Sequence, residues 1–159
     1  MLVPYSQEYY DRTRKAAASH QRMRRLRDLV KSYKPKKVLD VGCGHGFLVT
    51  ILNNYGIETI GVDSSKFSGS DMPKDKFVLA DVTEGLPFKD KEFDVVISTD
   101  FFEHLKDEEI DRVYSEMQRV GTHIIAIICY KVEKVSWSHY SVHPKEWWQD
   151  RLPGCFILP

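Results

Sequence analysis

A glycine-rich turn directly after a short apolar run limits the folds open to this chain more than any other feature. Residues 38–41 read Val-Leu-Asp-Val, residues 42–46 read Gly-Cys-Gly-His-Gly, and apolar residues then recur at helical spacing over residues 47–55. This pattern predicts a strand, a tight turn and a helix. Because glycines expose backbone and the start of a helix favours anionic groups, we expect a ligand to lie against this turn.

Further apolar runs predict strands that alternate with helical or polar segments. The predicted strands cover residues 38–41, 57–62, 77–82, 93–99 and 123–130, and the predicted helices in this part of the chain cover residues 47–55, 107–120 and 144–152. Strands and helices in alternation join by right-handed crossovers into a mainly parallel sheet that is covered on both faces. The sequence therefore predicts a three-layer α/β fold with a doubly wound sheet.

Polar residues stand at the ends of the first four predicted strands. The glycine turn follows the first strand, Asp63 the second, Asp81 closes the third, and the loop over residues 99–105 follows the fourth. Ligands of such sheets bind beyond the carboxyl ends of the strands, at the switch point. We therefore expect these residues to line one crevice.

The spacing of the turn disfavours a dinucleotide site. A GxGxxG motif needs its third glycine at position 47, and this chain has Phe47 there. A nicotinamide-dependent oxidoreductase is therefore the weaker interpretation. Asp63 lies twenty-one residues past Gly42, where a carboxylate can accept hydrogen bonds from both hydroxyls of a ribose. Asp81 is placed to accept a hydrogen bond from an adenine amino group.

Taken together, these segments resemble the class I S-adenosylmethionine-dependent methyltransferases, in the type 11-like branch that acts on small molecules. The matching segments are residues 39–46, 61–64, 80–82, 86–88, 93–97 and 102–105, within a region of about residues 35–131. The resemblance implies a Rossmann-like fold, S-adenosylmethionine as cofactor and S-adenosylhomocysteine as product. It also implies methyl transfer to an oxygen or nitrogen atom of a small-molecule acceptor.

The resemblance further implies which residues contact the cofactor. They are Tyr10, Asp40, Gly42, Cys43, Gly44, Gly46, Asp63, Ser64, Asp81, Val82 and Thr99. In this assignment Asp63 holds the ribose, Asp81 and Val82 frame the adenine, and the glycine turn lines the methionine and ribose. Tyr10 and the neighbouring Tyr5 and Tyr9 resemble residues that cover the cofactor, although packing of the N-terminal segment on the sheet would explain them equally well.

Two histidines are candidate catalytic residues. His104 follows the fourth predicted strand and His139 follows the fifth. An imidazole titrates near neutral pH and can take a proton from an acceptor, although each histidine can also be structural. His139 and His143 have the i, i+4 spacing of some zinc sites, but no third ligand and no HExxH pattern accompany them, so we expect no metal.

The N-terminal segment carries a charge asymmetry that allows two interpretations. Residues 1–37 contain eleven Lys or Arg and three Asp or Glu, although the whole chain has 23 of each kind. Apolar residues at steps of three and four predict a helix that docks on the core with a solvated basic face. Clustered cations can also bind nucleic acid. The alternative function is therefore a non-catalytic, cofactor-binding module that holds RNA or a partner protein.

These patterns suggest two parts and a cytoplasmic enzyme. We divide the chain into a basic helical arm, residues 1–34, and an S-adenosylmethionine-binding α/β domain, residues 35–159. The longest apolar run, residues 124–130, is far shorter than the roughly 20 residues of a membrane span, and the first thirty residues lack the apolar core of a secretory signal. Three cysteines without a CxxC pair fit free thiols.

The last part of the chain leaves the edge of the sheet open to two interpretations. The resembling family usually has seven strands, and the residues after 130 have room for only part of the last two. Either the sheet is trimmed at its C-terminal edge or a partner covers that edge. Because the fifth predicted strand is rich in isoleucine, an exposed edge there predicts a homodimer.

Overall fold

The computed structural model describes residues 5–17, 19–128 and 139–153. Its strands are β1 (Lys37–Val41), β2 (Glu58–Asp63), β3 (Phe77–Leu79), β4 (Phe93–Thr99) and β5 (Gly121–Ile127). All neighbouring strands pair in parallel, in the order β3-β2-β1-β4-β5. The chain runs from β1 outward to β3 and then returns to place β4 beside β1. The carboxyl ends of β1 and β4 therefore form the switch point of the sheet.

Helices cover both faces of this sheet. They are α1 (Gln7–Ala17), α2 (His20–Ser32), α3 (Phe47–Asn54), α4 (Asp107–Val120) and α5 (Lys145–Arg151). Successive residues of β4 alternate between the faces: Val95 packs with α2 and α3, and Val96 packs with α4 and Trp148 of α5. The predicted three-layer, Rossmann-like fold is confirmed. None of the helices in the described part of the chain is long and apolar enough to cross a membrane.

The basic N-terminal segment forms two helices, so the prediction of a single helix is wrong. Ser19 interrupts the helical path with a ψ of 112° and becomes the N-cap of α2. Beyond this break, α2 turns its apolar side to the sheet. The side chains that it buries there are Met23, Leu26 and Val30. The division of the chain at residue 34 stays a prediction.

Two strands differ from their predicted bounds by more than one residue. The third was expected to reach residue 82, but β3 ends at Leu79 because Asp81 caps a 3₁₀ turn, Val82–Glu84. Its carboxylate accepts a hydrogen bond from the backbone nitrogen of Thr83 at 2.9 Å, a local bond that competes with strand pairing. The fifth strand was expected over residues 123–130. β5 instead begins at Gly121 and ends at Ile127, and residues 129 and 130 lie outside the described residues.

Candidate active site

A cleft of about 760 Å³ opens at the carboxyl ends of β1, β2 and β4. Twelve of the thirteen predicted site residues line it: Tyr10, Asp40, Gly42, Cys43, Gly44, Asp63, Ser64, Asp81, Val82, Thr99, His104 and His139. The thirteenth, Gly46, is not among the lining residues. It is the N-cap of α3, and a methyl group added there would overlap the side chain of Met72. Its place in the structure is therefore under the turn, against the loop before β3.

The glycine turn bends back onto β2. The backbone nitrogens of Gly42 and Cys43 both donate hydrogen bonds to the carbonyl oxygen of Val62, at 2.9 and 3.1 Å. Gly42 and Gly44 adopt φ values of 69° and 53°, which favour glycine. A methyl group at Gly42 would overlap the ring of Phe101, whereas one at Gly44 would meet nothing within 4 Å. The backbone at Gly44 is thus open to a ligand in the cleft.

Asp63 joins the turn to the end of β2. One carboxylate oxygen accepts a hydrogen bond from the backbone nitrogen of Gly44 at 3.0 Å, and the other accepts one from the backbone nitrogen of Ser65 at 2.9 Å. A carboxylate has about four acceptor positions, so these two bonds fix its orientation and leave capacity for hydroxyl donors. Because Asp63 lines the cleft, this acceptor capacity is available to a ligand bound there.

Asp40 and Asp63 place two carboxyl groups close together in the cleft. Burial, and then the nearby Asp63, raise the pKa of Asp40 to about 8. Burial also raises the pKa of the neighbouring Cys43 thiol, and the carboxylates of Asp40 and Asp63 add to this effect. A cation beside Asp40 would favour its charged form. The site therefore fits a ligand such as S-adenosylmethionine, which carries an ammonium and a sulfonium group.

Gly61 of β2 and Cys43 of the turn pack directly against each other. A methyl group added at Gly61, in β2, would lie 2.8 Å from both the Cβ and the Sγ atoms of Cys43. Real Cβ atoms do not approach other atoms so closely. The absence of a side chain at Gly61 is therefore what gives Cys43 its place in the turn.

Side chains of α1 close one side of the cleft. The hydroxyl of Tyr10 lies 2.6 Å from the hydroxyl of Ser68, and its ring meets the ring of His45 edge-on at 5.1 Å. Thr13 adds a contact of 3.3 Å to the same imidazole. Burial is the main cause that raises the pKa of Tyr10 to about 12, so this phenol stays protonated. Tyr10 is thus buried at the edge of the cleft, where it packs against the loop that carries Ser68.

The two candidate catalytic histidines lie together in the wall of the cleft, beside the tyrosines of the N-terminal segment. The rings of His104 and His139 meet edge-on with centroids 4.7 Å apart, and Tyr5 contacts His104 at 6.0 Å. Burial, and then the neighbouring His104, lower the pKa of His139. His143 lies elsewhere: its Nε2 atom is 2.9 Å from the carboxylate of Asp107, so the i, i+4 spacing to His139 does not mark a shared site.

Arg22 is one cleft residue that the sequence did not indicate, whereas Asp100 and Glu103 lie in the loop over residues 99–105 that was expected at the crevice but were not assigned a role there. Arg22 of α2 forms an ion pair with Asp100 of the loop after β4, and Glu103 in the same loop is fully buried. Asp100 adopts a φ of 49°, which Asp tolerates better than most residues, but the sequence alone does not reveal this conformation. The partner of Asp100 comes from a distant helix, and no local pattern indicates such a pair.

Comparison with known proteins places these features in one family. A family model described as a methyltransferase domain matches residues 39–123. Norajmaline N-methyltransferase from Rauvolfia serpentina is 34% identical over 129 residues, which covers 72% of this chain and 43% of that protein. A probable chloroplastic tocopherol O-methyltransferase from Oryza sativa subsp. japonica is 30% identical over 160 residues, which covers 87% and 42%. The chain thus spans less than half the length of these curated relatives.

A solved structure agrees with the sequence relatives. The crystal structure of a SAM-dependent methyltransferase from Archaeoglobus fulgidus superimposes with a TM-score of 0.59 at 30% identity, over 71% of this chain and 53% of that one. The family-model match and this superposition thus relate the chain to S-adenosylmethionine-dependent methyltransferases in both sequence and fold. This chain therefore belongs to the class I S-adenosylmethionine-dependent methyltransferases.

Proposed function

We propose that this chain transfers a methyl group from S-adenosylmethionine to an oxygen or nitrogen atom of a small acceptor. One observation carries the proposal: a single cleft joins the glycine turn and Asp63 to a wall that carries His104 and His139. The part of the cleft at the glycine turn and Asp63 fits the nucleoside. The part at the two histidines offers proton acceptors beside it. The relatives include both an N-methyltransferase and a probable O-methyltransferase, which supports either acceptor atom.

Each part of the cleft would hold a different part of the cofactor. Asp63 would accept hydrogen bonds from the ribose hydroxyls, beside Ser64, and Asp81 and Val82 would contact the adenine. The open backbone at Gly44, with Asp40 behind it, would face the methionine part, where a positive charge is favoured. The remaining contacts that we propose come from Tyr10, Gly42, Cys43 and Thr99, with Gly46 supporting the turn.

Methyl transfer depends mainly on the alignment of the acceptor atom with the methyl carbon and the sulfur. A lone pair of the acceptor forms a bond to the methyl carbon as the carbon–sulfur bond breaks, and the sulfur leaves as the neutral thioether of S-adenosylhomocysteine. Holding the two reactants in line supplies most of the acceleration. The acceptor also loses a proton, and His104 and His139 are the groups that we propose to receive it. The lowered pKa of His139 keeps its imidazole neutral and able to accept.

Calorimetry and a transfer assay test this proposal. We expect saturable binding of S-adenosylhomocysteine, and transfer of a labelled methyl group to at least one member of a panel of phenols, hydroxy acids, sugars and amines. His139→Ala should keep the nucleoside affinity and lower turnover at least about 100-fold. The control is His123→Ala, an exposed histidine at the amino end of β5. No binding at millimolar S-adenosylhomocysteine would refute the proposal.

RNA binding by a non-catalytic module remains the second candidate. Arg24 and Arg25 are exposed side by side on α2, which favours it. Against it, Arg14 and Arg22 form ion pairs with Asp71 and Asp100 of the α/β domain and are therefore engaged within the protein. We expect an Arg24→Ala, Arg25→Ala variant to keep methyl transfer. A steep salt dependence of RNA binding that this variant loses would favour the second candidate.

We also propose a homodimer and a cytoplasmic location. Among the described residues β5 pairs only with β4, and an isoleucine-rich outer strand supports pairing with a second copy. Light scattering at micromolar concentration should give twice the chain mass, and a monomer would contradict the dimer. Three cysteines without a CxxC pair fit free thiols in a reducing compartment and support the location, which fractionation of cells that express the tagged protein can check.

A further inference from the structure

We propose that Glu103, His104 and His139 form a binding site for one divalent transition-metal ion, such as Zn²⁺, on the wall of the cleft. One carboxylate oxygen and one ring nitrogen from each histidine lie within 4.8 Å of one another. Two imidazoles and one carboxylate are a common ligand set for zinc in enzymes. The binding of the ion does not depend on the proposed function.

The geometry is close to that of a bound ion. Bonds of about 2.0 to 2.2 Å from zinc to nitrogen and oxygen place neighbouring ligand atoms roughly 3 to 3.5 Å apart. Side chains whose ligand atoms lie within 4.8 Å can reach this separation by small rotations. The two imidazole rings meet edge-on with centroids 4.7 Å apart and are not stacked, an arrangement in which both rings can bind one ion.

The electrostatics of the cluster favour a cation. Glu103 is fully buried, and a carboxylate removed from water needs compensating positive charge or hydrogen bonds. A divalent ion would supply positive charge directly beside the buried carboxylate.

Backbone hydrogen bonds hold the three residues in place. The carbonyl oxygen of Glu103 accepts hydrogen bonds from the backbone nitrogens of Tyr140 and Ser141, at 2.9 and 3.2 Å. The hydroxyl of Ser141 lies 2.7 Å from the carbonyl oxygen of Leu105. These bonds attach the segment after His139 to the loop that carries the other two ligands. Such supporting bonds strengthen metal sites by orienting the ligands.

The position of the site suggests what the ion would do. Three protein ligands leave at least one coordination position open, and all three residues line the cleft. An acceptor that carries a hydroxyl group could place its oxygen there, and the ion would lower the pKa of that hydroxyl, so that its proton passes to water. This role, unlike the binding of the ion, rests on the proposed methyl transfer. With the ion bound, His104 and His139 would be ligands and would not take the proton themselves, so their role as proton acceptors applies to the ion-free protein.

Titration with Co²⁺ tests the site directly. After treatment with EDTA and dialysis, we expect the full chain to bind one Co²⁺ ion and to show visible absorption bands typical of coordinated cobalt. His104→Ala and His139→Ala should each weaken this binding at least about tenfold. Glu103→Gln is a third variant, but it changes a buried group and is informative only if it folds. His123→Ala is the matched control and should bind Co²⁺ like the original protein.

A parallel titration with S-adenosylhomocysteine, without metal, separates this proposal from the proposed function. Nucleoside binding without any Co²⁺ binding at 1 mM metal would overturn the metal site and leave the methyltransferase proposal intact. Co²⁺ binding without nucleoside binding would support the metal site and refute the methyltransferase proposal. Co²⁺ affinity that is unchanged in both histidine variants would also overturn the site, because the ion would then lie elsewhere.

Discussion

A carboxylate oxygen of Asp63 lies 3.0 Å from the backbone nitrogen of Gly44, so the end of β2 holds the turn that follows β1. Loss of this carboxylate removes the proposed partner of the ribose hydroxyls. We expect Asp63→Ala to weaken S-adenosylhomocysteine binding by about 1 to 3 kcal/mol, which is roughly 5- to 150-fold in dissociation constant. Calorimetry measures this change. Asp75→Ala removes an exposed acid of the same size and should leave the affinity unchanged.

Substitution of Gly44 by alanine should cause two separate defects, one in stability and one in nucleoside binding. Gly44→Ala should cost about 1 to 2 kcal/mol of stability, because φ is 53° there, and its methyl group would occupy the cleft and weaken nucleoside binding. Gly56→Ala, with φ of 77° and open space at the end of α3, should cost the same stability and keep the affinity. Urea unfolding and calorimetry separate the two effects. Equal affinity in both variants would place the ligand away from Gly44.

Gly42→Ala should behave as a packing defect. Its added methyl group would overlap the ring of Phe101, in addition to the unfavourable φ of 69°. We expect a loss of about 2 to 4 kcal/mol in the free energy of unfolding, more than for Gly44→Ala. A urea denaturation series measures it. Similar stability of the two variants would show that Phe101 moves aside without cost.

Asp40 predicts a pH dependence of stability in the ligand-free protein. Its pKa is raised to about 8 by burial and by Asp63, so the folded state holds this proton more tightly than the unfolded state does. The resulting stabilisation is complete below pH 4 and is lost as the pH rises towards 8, with a slope of at most about 1.4 kcal/mol per pH unit. Asp40→Asn lacks this slope. Its melting temperature relative to the original protein should rise between pH 6 and pH 8.5, and a constant difference would contradict the prediction.

Glu116 predicts a pH dependence of the opposite sign. Its carboxylate pairs with Arg119 at 2.8 Å and accepts the backbone nitrogen of Leu86 at 2.9 Å, and these bonds lower its pKa to about 2. The stabilisation is present above about pH 4.5 and is lost as the pH falls towards 2. Glu116→Gln should lower the free energy of unfolding by about 1 to 2 kcal/mol at pH 7 and by less at pH 3. Glu108→Gln changes an exposed acid on the same helix and serves as control.

Local signals explain why the start of the fold was predictable. The predicted strand at residues 38–41 and helix at residues 47–55 agree with β1 and α3 to within one residue. Glycine conformation and apolar spacing are properties of neighbouring residues, so one sequence reveals them. The break at Ser19 and the cap by Asp81 are also local, but a continuous apolar pattern passes through both positions and obscures them.

Contacts between distant segments were not predictable in the same way. The sequence places His104 and His139 after different strands, and only the fold brings their rings to 4.7 Å. The ion pair of Arg22 with Asp100 joins a helix of the N-terminal segment to a loop nearly eighty positions later. The burial of Glu103 likewise depends on the packing of several elements. Periodicity and spacing carry no information on such distances.

The close approach of Gly61 to Cys43 couples two positions that a substitution study would treat as independent. Alanine at position 61 displaces the cysteine and with it the turn, whereas glycine at position 43 would open the missing volume. The two changes therefore compensate each other when they occur in one molecule. Relatives that differ at one of these positions should also differ at the other, so we expect positions 43 and 61 to covary during evolution.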